Sequence, residues 1–251
     1  MSSRVFTRLY HPNMLEHAIP KVIKPLTYGA DSVQYKVLSN TIKNHVPSHG
    51  FNERAIVQSL NELGLGSSYL SVLGSANSPS FFNVSPAVQE LVKFHLVTKR
   101  TQLINELPLD TDKPLPDLET LFLRRLKLNE SVAPHLSQML SIMSIPGEFM
   151  VQTALPELHR LTDDMIFYSN ETDNHDFAWY SKRLAISTAY VSSELFMAQD
   201  KSHNFSETME FAQSRLENVK KMGKMYDYTE EYLWFTLLSS INLVKSQLTR
   251  G

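Results

Sequence analysis

Apolar residues recur every three or four positions along most of this chain, a repeat that limits it to helical folds. Clusters rich in Pro, Asn and Asp separate these segments: NSPS at 77–80, LPLDTDKPLPD at 107–117 and NETDNHD at 170–176. No segment alternates apolar and polar residues between hairpin turns. The pattern predicts an all-α protein with about ten helices and no internal repeat.

The boundaries of these helices follow from capping residues, glycines and prolines. The first helix starts at Tyr35 and is expected to end at Pro47 and Gly50, and Asn52 is positioned to cap the second. A kink is expected at Pro156. The predicted helices before the C-terminal segment cover residues 35–46, 53–63, 68–73, 85–106, 117–128, 131–143, 147–169, 176–198 and 205–222. The first three, with tight turns that contain Gly, form a unit like a helix-turn-helix.

Composition excludes several classes of function. The chain has 251 residues, a formal net charge of −2 and no cysteine. This charge produces no overall attraction to nucleic acid, and without cysteine there are no disulfides, zinc–thiolate sites or thiol catalysis. No apolar run reaches the ~18 residues of a membrane span. HExxH, GxSxG and P-loop motifs are absent from the sequence, so we expect neither a metal nor a cofactor.

DNA binding is one function to weigh, because the second helix of a helix-turn-helix commonly enters the major groove. The candidate recognition helix has the sequence SSYLSVL at 67–73 and contains no cation. Phosphate contacts, which dominate affinity for DNA, need Lys or Arg. The sequence therefore favours a structural role for this helix, with DNA recognition kept as an alternative.

Catalysis is a second function to weigh. The segment PELHRLTDDM at 156–165 places Glu157, His159, Asp163 and Asp164 on one helix, and His159 and Asp163 are i, i+4 neighbours. Such pairs are usually structural, and the segment contains no nucleophile or metal partner. A weak lipid-modifying enzyme that uses His159 and Asp163 stays open as an alternative.

The two ends of the chain have compositions of their own. Residues 1–15 contain Arg4 and Arg8 and no acid, which is typical of a mitochondrial presequence, although a disordered basic terminus has the same composition. Residues 1–29 are therefore predicted to be a presequence remnant and an extended arm. Residues 226–251 are predicted to form an amphipathic helix that lies on a membrane, or else a final core helix. The predicted membrane-binding residues are Tyr232, Trp234, Phe235, Leu238 and Ile241.

Three stretches of the sequence resemble a known family. They are HVPSHGFNERAIVQSLNELGLGSS at 45–68, LPELHRLTDDMIFYSN at 155–170 and DFAWYSKRLAISTAYVSSELFMAQDKSHNFSETMEFAQSRL at 176–216. Together they are similar to the mitochondrial lipid-binding protein that is ninth in the nomenclature of coenzyme Q (ubiquinone) biosynthesis. The similarity runs from residue 30 to the C-terminus and is closest to fungal members.

The resemblance implies a fold like that of the TetR bacterial regulators, in a homodimer whose degenerate helix-turn-helix binds no nucleic acid. Residues 30–225 would form this lipid-binding domain. The resemblance also implies a non-catalytic peripheral protein on the matrix side of the mitochondrial inner membrane. Its expected ligands are isoprenoid lipids, ubiquinone intermediates and phospholipid. Its expected partners are the di-iron demethoxyubiquinone hydroxylase and other proteins of the coenzyme Q synthome. A TetR-like transcription regulator with an apolar effector is the alternative.

The family's motif for lipid and partner contacts falls on helices at 155–170 and 176–198. The residues that it assigns to partner docking are Asp163, Asp164, Met165, Trp179 and Tyr180. Spacings of three and four along the second helix place aromatic rings and a guanidinium on one face and apolar residues on the other. The predicted lipid-binding residues are Arg183, Trp179, Tyr190, Leu184 and Phe196. A packed core helix with a solvated stripe is the competing interpretation.

Overall fold

A computed structural model of the chain describes residues 25–75, 84–107, 115–171 and 178–222. These ranges contain ten α-helices and no β-strand, so the predicted all-α class is confirmed. The TetR-like topology stays a prediction. The predicted presequence, most of the arm and the C-terminal residues Tyr232, Trp234, Phe235, Leu238 and Ile241 lie outside the described residues.

The helices follow one another with short connections. Their bounds are α1 Val33–Asn40, α2 Val46–His49, α3 Glu53–Glu62, α4 Tyr69–Leu73, α5 Pro86–Asn105, α6 Leu118–Lys127, α7 Leu136–Ser144, α8 Leu155–Phe167, α9 Ala178–Met197 and α10 Ser206–Met222. A π-helical turn, Thr41–His45, joins α1 to α2, and a second, Met150–Ala154, leads into α8. No described helix is long and apolar enough to cross a bilayer.

The boundaries near residue 50 test the capping predictions. The Asn52 side chain accepts a hydrogen bond from the Ala55 backbone N–H at 3.0 Å, which confirms it as the cap of α3. The predicted helix end at Pro47 is wrong: Pro47 lies in the first turn of α2, directly after the π-helical turn Thr41–His45, and the chain stays helical to His49. The helix ends at Gly50, whose φ of 78° turns the chain out of the helical path.

The interior of the bundle contains two apolar clusters. The N-terminal cluster joins α1–α4 and α7 to the first half of α5. The second cluster joins α6, α8, α9 and α10 to the end of α5. Because the 20-residue helix α5 contributes to both clusters, it ties the helix-turn-helix-like unit to the rest of the bundle.

The kink predicted at Pro156 stays a prediction. The π-helical turn Met150–Ala154 runs directly into α8, and Pro156 lies in the first turn of α8. The turn places Ala154 and Leu155 beside a gap between α8, α7 and α9.

Candidate functional site

A cavity of about 120 Å³ lies between α5, α6, α7, α8 and α9. Leu155 marks its outer side, because this side chain is 43% exposed although it lines the cavity. Most of the lining is aliphatic or methionine, and the charged residues Arg100, Arg125, Glu157 and Glu194 complete it. The apolar lining residues are Leu96, Leu140, Met143, Met150, Ala154, Leu155, Leu158, Leu161, Val191 and Leu195.

The inner wall of the cavity is polar. Arg125, Tyr190 and Glu194 line it, and all three are buried, with Arg125 only 1% exposed. Asn129, at the end of the turn after α6, connects them: its Nδ2 donates to Glu194 Oε1 at 2.7 Å, and its Oδ1 accepts from Arg125 Nη1 at 2.8 Å. Tyr190 Oη donates to Glu194 Oε1 at 2.6 Å, and Arg125 lies 5.6 Å from the centre of the Tyr190 ring. We call Arg125, Asn129, Tyr190 and Glu194 the polar wall.

Two atoms at this wall are buried without a hydrogen-bond partner: Arg125 Nε and His95 Nδ1. His95 places its other ring nitrogen, Nε2, 3.1 Å from Asn129 Oδ1. Burial, reinforced by the charge of Arg125, lowers the pKa of His95 to about 3, so the ring is neutral near pH 7. Burial also raises the pKa of Glu194. An unsatisfied buried donor is uncommon, and here it is a guanidinium N–H on the lining of a cavity.

A second set of buried charges lies between α5, α8 and α9. Arg100 donates to Glu157 at 3.1 Å and to Asp164 at 2.8 Å, while Arg183 donates to Asp163 at 2.7 Å. Charges this deeply buried are tolerated because each guanidinium faces a carboxylate. These pairs hold the three helices in register around the cavity.

The structure separates the predicted lipid-binding residues. Tyr190 lines the cavity, as part of the polar wall. Arg183 is buried and engaged with Asp163, away from the lining. Phe196 stacks on Phe211 of α10 with ring centres 4.5 Å apart, and Leu184 is half-buried outside the lining. Trp179 belongs to the first turn of α9, but its side chain is outside the described part of the structure.

The predicted docking residues also occupy different environments. Met165 is 0% exposed within the second apolar cluster, and Asp163 and Asp164 are covered by their arginine partners. Tyr180 is 66% exposed at the start of α9. Burial of a methionine and neutralisation of two carboxylates explain why these three positions face inward. The docking role of all five residues stays a prediction, and Tyr180 is the one whose described side chain is exposed.

The two residues of the catalytic alternative lie one turn apart on α8 and interact electrostatically. Asp163 also accepts a hydrogen bond from Arg183 in the interior, whereas His159 is exposed. Among the described residues, no group of three or more His, Asp or Glu side chains could hold a metal ion.

The sequence prediction missed Arg125 and Asn129. A signal for Arg125 exists, because it follows Leu118, Leu121 and Phe122 at helical spacing on the apolar face of α6. A charged residue on an apolar face is either paired in the interior or functional. Asn129 has no such signal, because its hydrogen bond is to Glu194 of α9, which lies more than 60 positions further along the chain.

The fold and the cavity define the class of this protein: an all-α bundle that encloses a mainly apolar cavity with a polar inner wall. Comparison with known proteins narrows this class. The sequence model of the COQ9 family matches residues 151–223, which cover α8–α10.

Relatives of nearly the same length extend this match to the whole chain. The chain is 55% identical to "Ubiquinone biosynthesis protein COQ9, mitochondrial" of Saccharomyces cerevisiae, over 98% of this chain and 95% of that protein. It is 53% identical to the protein of the same name from Eremothecium gossypii, over 99% of both chains. Identity to the Schizosaccharomyces pombe protein is 32%, over 84% of this chain and 79% of that one. The chain therefore belongs to the COQ9 family of ubiquinone biosynthesis proteins.

Proposed function

We propose that this protein is a non-catalytic accessory protein of mitochondrial ubiquinone biosynthesis that binds isoprenoid quinone intermediates and presents them to pathway enzymes. The mainly apolar cavity between α5 and α9 is the observation that carries the proposal. Membership of the COQ9 family supplies the pathway.

The physical need for such a carrier is solvation of the prenyl tail. Each buried methylene is worth roughly 0.8 kcal/mol, so a tail of about 30 carbons costs on the order of 20 kcal/mol to expose to water. An enzyme in the aqueous matrix cannot collect this substrate from the bilayer unless another surface shields the tail. A cavity lined by leucine, methionine and valine supplies part of that surface.

The size of the cavity limits what it encloses. Cavities of about 150 Å³ bind benzene, so the 120 Å³ found here suits one ring or one isoprene unit rather than a whole tail. The rest of the tail would pass the half-exposed Leu155 and stay at the membrane. The predicted amphipathic helix at 226–251 would hold the protein there as a peripheral protein of the inner membrane. Loss of liposome flotation on deleting residues 226–251 tests this attachment.

The start of α9 is the proposed docking surface for the demethoxyubiquinone hydroxylase. Tyr180 is exposed, and Trp179 precedes it in the same helical turn. Aromatic side chains are enriched at the centres of protein interfaces. Trp179→Ala and Tyr180→Ala should each weaken co-purification of the hydroxylase. Gln199→Ala, at an exposed position in the turn after α9, is the matched control. Unchanged co-purification of both would remove this assignment.

Mass spectrometry of the lipids extracted from the purified full-length protein tests the function itself. We expect prenylated quinones or their precursors at an appreciable molar ratio to protein. An extract free of isoprenoid lipid, from protein purified without detergent, would contradict the proposal. A DNA shift with steep salt dependence would instead support a TetR-like regulator, although α4 contains no cation for phosphate contact.

A further inference from the structure

The polar wall contains a buried cation that differs from its neighbours. Arg100 and Arg183 are each neutralised by a carboxylate at 2.8 Å or less. Within the described residues, the only hydrogen bond of Arg125 runs from Nη1 to the uncharged amide of Asn129, and Nε has no partner. A guanidinium stays charged in proteins, so this side chain offers unused donors inside the bundle.

The same wall also offers an acceptor. Glu194 receives hydrogen bonds from Asn129 and Tyr190, and both are made to Oε1. Its other oxygen, Oε2, is therefore available on a residue that lines the cavity. Donor and acceptor lie on different helices, α6 and α9, and both helices contact the apolar lining. This combination suits the oxygenated end of an otherwise apolar molecule.

We propose that Arg125, Tyr190 and Glu194 form a head-group subsite that binds the oxygenated ring of a prenylated quinone or phenol, with the tail leaving along the apolar lining toward Leu155. This subsite rests on the proposed lipid-binding function and adds the orientation of the ligand. Arg125 donates to a ring carbonyl or methoxy oxygen, and Glu194 accepts from a ring hydroxyl when one is present. No bond is made or broken.

Charge favours a quinone or phenol ring over an anionic head. A quinone oxygen accepts a hydrogen bond without bringing a charge into the interior. An anionic head would meet Glu194 as well as Arg125, and like charges at close range in a buried site are costly.

Three ligands with tails of comparable length test the subsite on the full-length protein, with dissociation constants measured by calorimetry. Ubiquinone-2 carries the ring and two isoprene units, the hydrocarbon myrcene has the isoprene units alone, and decanoate replaces the ring with a carboxylate. We expect ubiquinone-2 to bind at least about tenfold more tightly than myrcene, the scale of one hydrogen bond to a charged donor. Decanoate should bind more weakly than ubiquinone-2.

Substitutions in α6 test whether the preference for ubiquinone-2 over myrcene depends on Arg125. Arg125→Met should reduce ubiquinone-2 binding by about tenfold and leave myrcene within about twofold of wild type, because only the head contact is lost. Arg124→Met is the matched control, since Arg124 is the preceding residue and pairs with Glu106 at the surface. Glu194→Gln, which keeps the shape of the wall, is the second variant if Arg125→Met does not fold. It is tested with ubiquinol-2, the reduced form whose ring hydroxyls would donate to Glu194, and should bind this ligand more weakly than wild type does.

The outcomes separate the subsite from the proposed function. If none of the three ligands binds, the lipid-binding function fails. The subsite alone fails if ubiquinone-2 and myrcene bind equally well to wild type. It also fails if Arg125→Met leaves the ratio of the ubiquinone-2 and myrcene dissociation constants unchanged, or if Glu194→Gln binds ubiquinol-2 as tightly as wild type does. Tighter binding of decanoate that depends on Arg125 would overturn the choice of a ring and indicate a fatty-acid head.

Discussion

At the scale of single residues, the interior of this protein depends on matched charges. Arg183 on α9 directs two guanidinium nitrogens to one oxygen of Asp163 on α8, at 2.7 Å. Both side chains are buried, so each charge depends on the other for compensation. Such a pair contributes little net stability compared with apolar residues, but loss of one partner leaves an uncompensated buried charge.

Asp163→Asn should therefore lower the free energy of unfolding by about 3–5 kcal/mol, because Arg183 keeps its charge without a counter-charge. Urea denaturation measures this change. The double variant Asp163→Asn/Arg183→Met should recover part of the loss. Lys182→Met, which removes the neighbouring pair with Glu171 at 2.9 Å, serves as the control and should cost about 1 kcal/mol or less. A small effect of Asp163→Asn would show that water reaches this pair.

The buried His95 predicts a dependence of stability on pH. Its pKa of about 3 in the folded chain lies below the ordinary value of 6.5, so the unfolded chain binds more protons between these values. Stability should rise with pH through this window and be lost as the pH falls, with a slope approaching about 1.4 kcal/mol per unit. His95→Gln keeps a donor for Asn129 and should flatten this part of the profile. The exposed His203→Gln should leave the profile unchanged.

At the scale of elements, the turn between α2 and α3 determines how the helix-turn-helix-like unit packs against the rest of the bundle. Gly50 ends α2 with a φ of 78° directly beside His135 and Gln138, the latter on α7. Gln138 also bonds both backbone groups of Phe51, at 2.9 and 3.1 Å. The absence of a side chain at Gly50 is what permits this approach, so one turn couples α2 and α3 to α7.

Alanine substitutions at two glycines separate the cost of backbone strain from the cost of a steric clash with neighbouring side chains. Gly64 has a similar φ of 69°, but no neighbour lies within 4 Å of where a Cβ would be. Gly64→Ala should therefore cost only the left-handed penalty of about 1–2 kcal/mol. Gly50→Ala should cost a further 1–3 kcal/mol, roughly, because the new methyl meets the side chains of Gln138 and His135. Thermal unfolding measures both, and equal losses would contradict the close packing at Gly50.

At the scale of the whole molecule, the cavity exists because five helices with large apolar side chains meet without filling their centre. A void of this kind lowers stability, since its lining lacks neighbours on one side. The protein tolerates that loss at the location where a ligand would supply the missing contacts. A variant with a smaller cavity should therefore carry less bound lipid.

Filling the cavity with protein atoms tests this relation. Ala154 lines the cavity at the end of the π-helical turn, and Ala154→Phe would place a ring in it. We expect the amount of co-purified lipid to fall while the melting temperature of lipid-free protein is unchanged or higher. Gln152→Phe, on the exposed side of the same turn, adds a ring without entering the cavity. Undiminished lipid in Ala154→Phe would mean that the lipid binds elsewhere.

Much of the fold was predictable because helices are local. Each signal lies within a few positions of the structure that it predicts. This holds for the period of the apolar residues, the cap at Asn52 and the glycine at residue 50. The error at Pro47 arises because the π-helical turn Thr41–His45, which carries the helix past this proline, has no signal in the local pattern. The class, the family and those boundaries that a local capping residue marks could therefore be predicted from the sequence.

What the sequence alone determined is thus the set of helices and the resemblance to one family. The tertiary structure decided which polar residues meet. Asp163, which the resemblance assigns to docking, pairs with Arg183 in the interior, and the sequence did not indicate that Arg125 and Glu194 both bond to Asn129. The physical reason is that helical periodicity assigns a residue to a face, whereas a buried charge takes its role from partners on other helices, which no local pattern specifies.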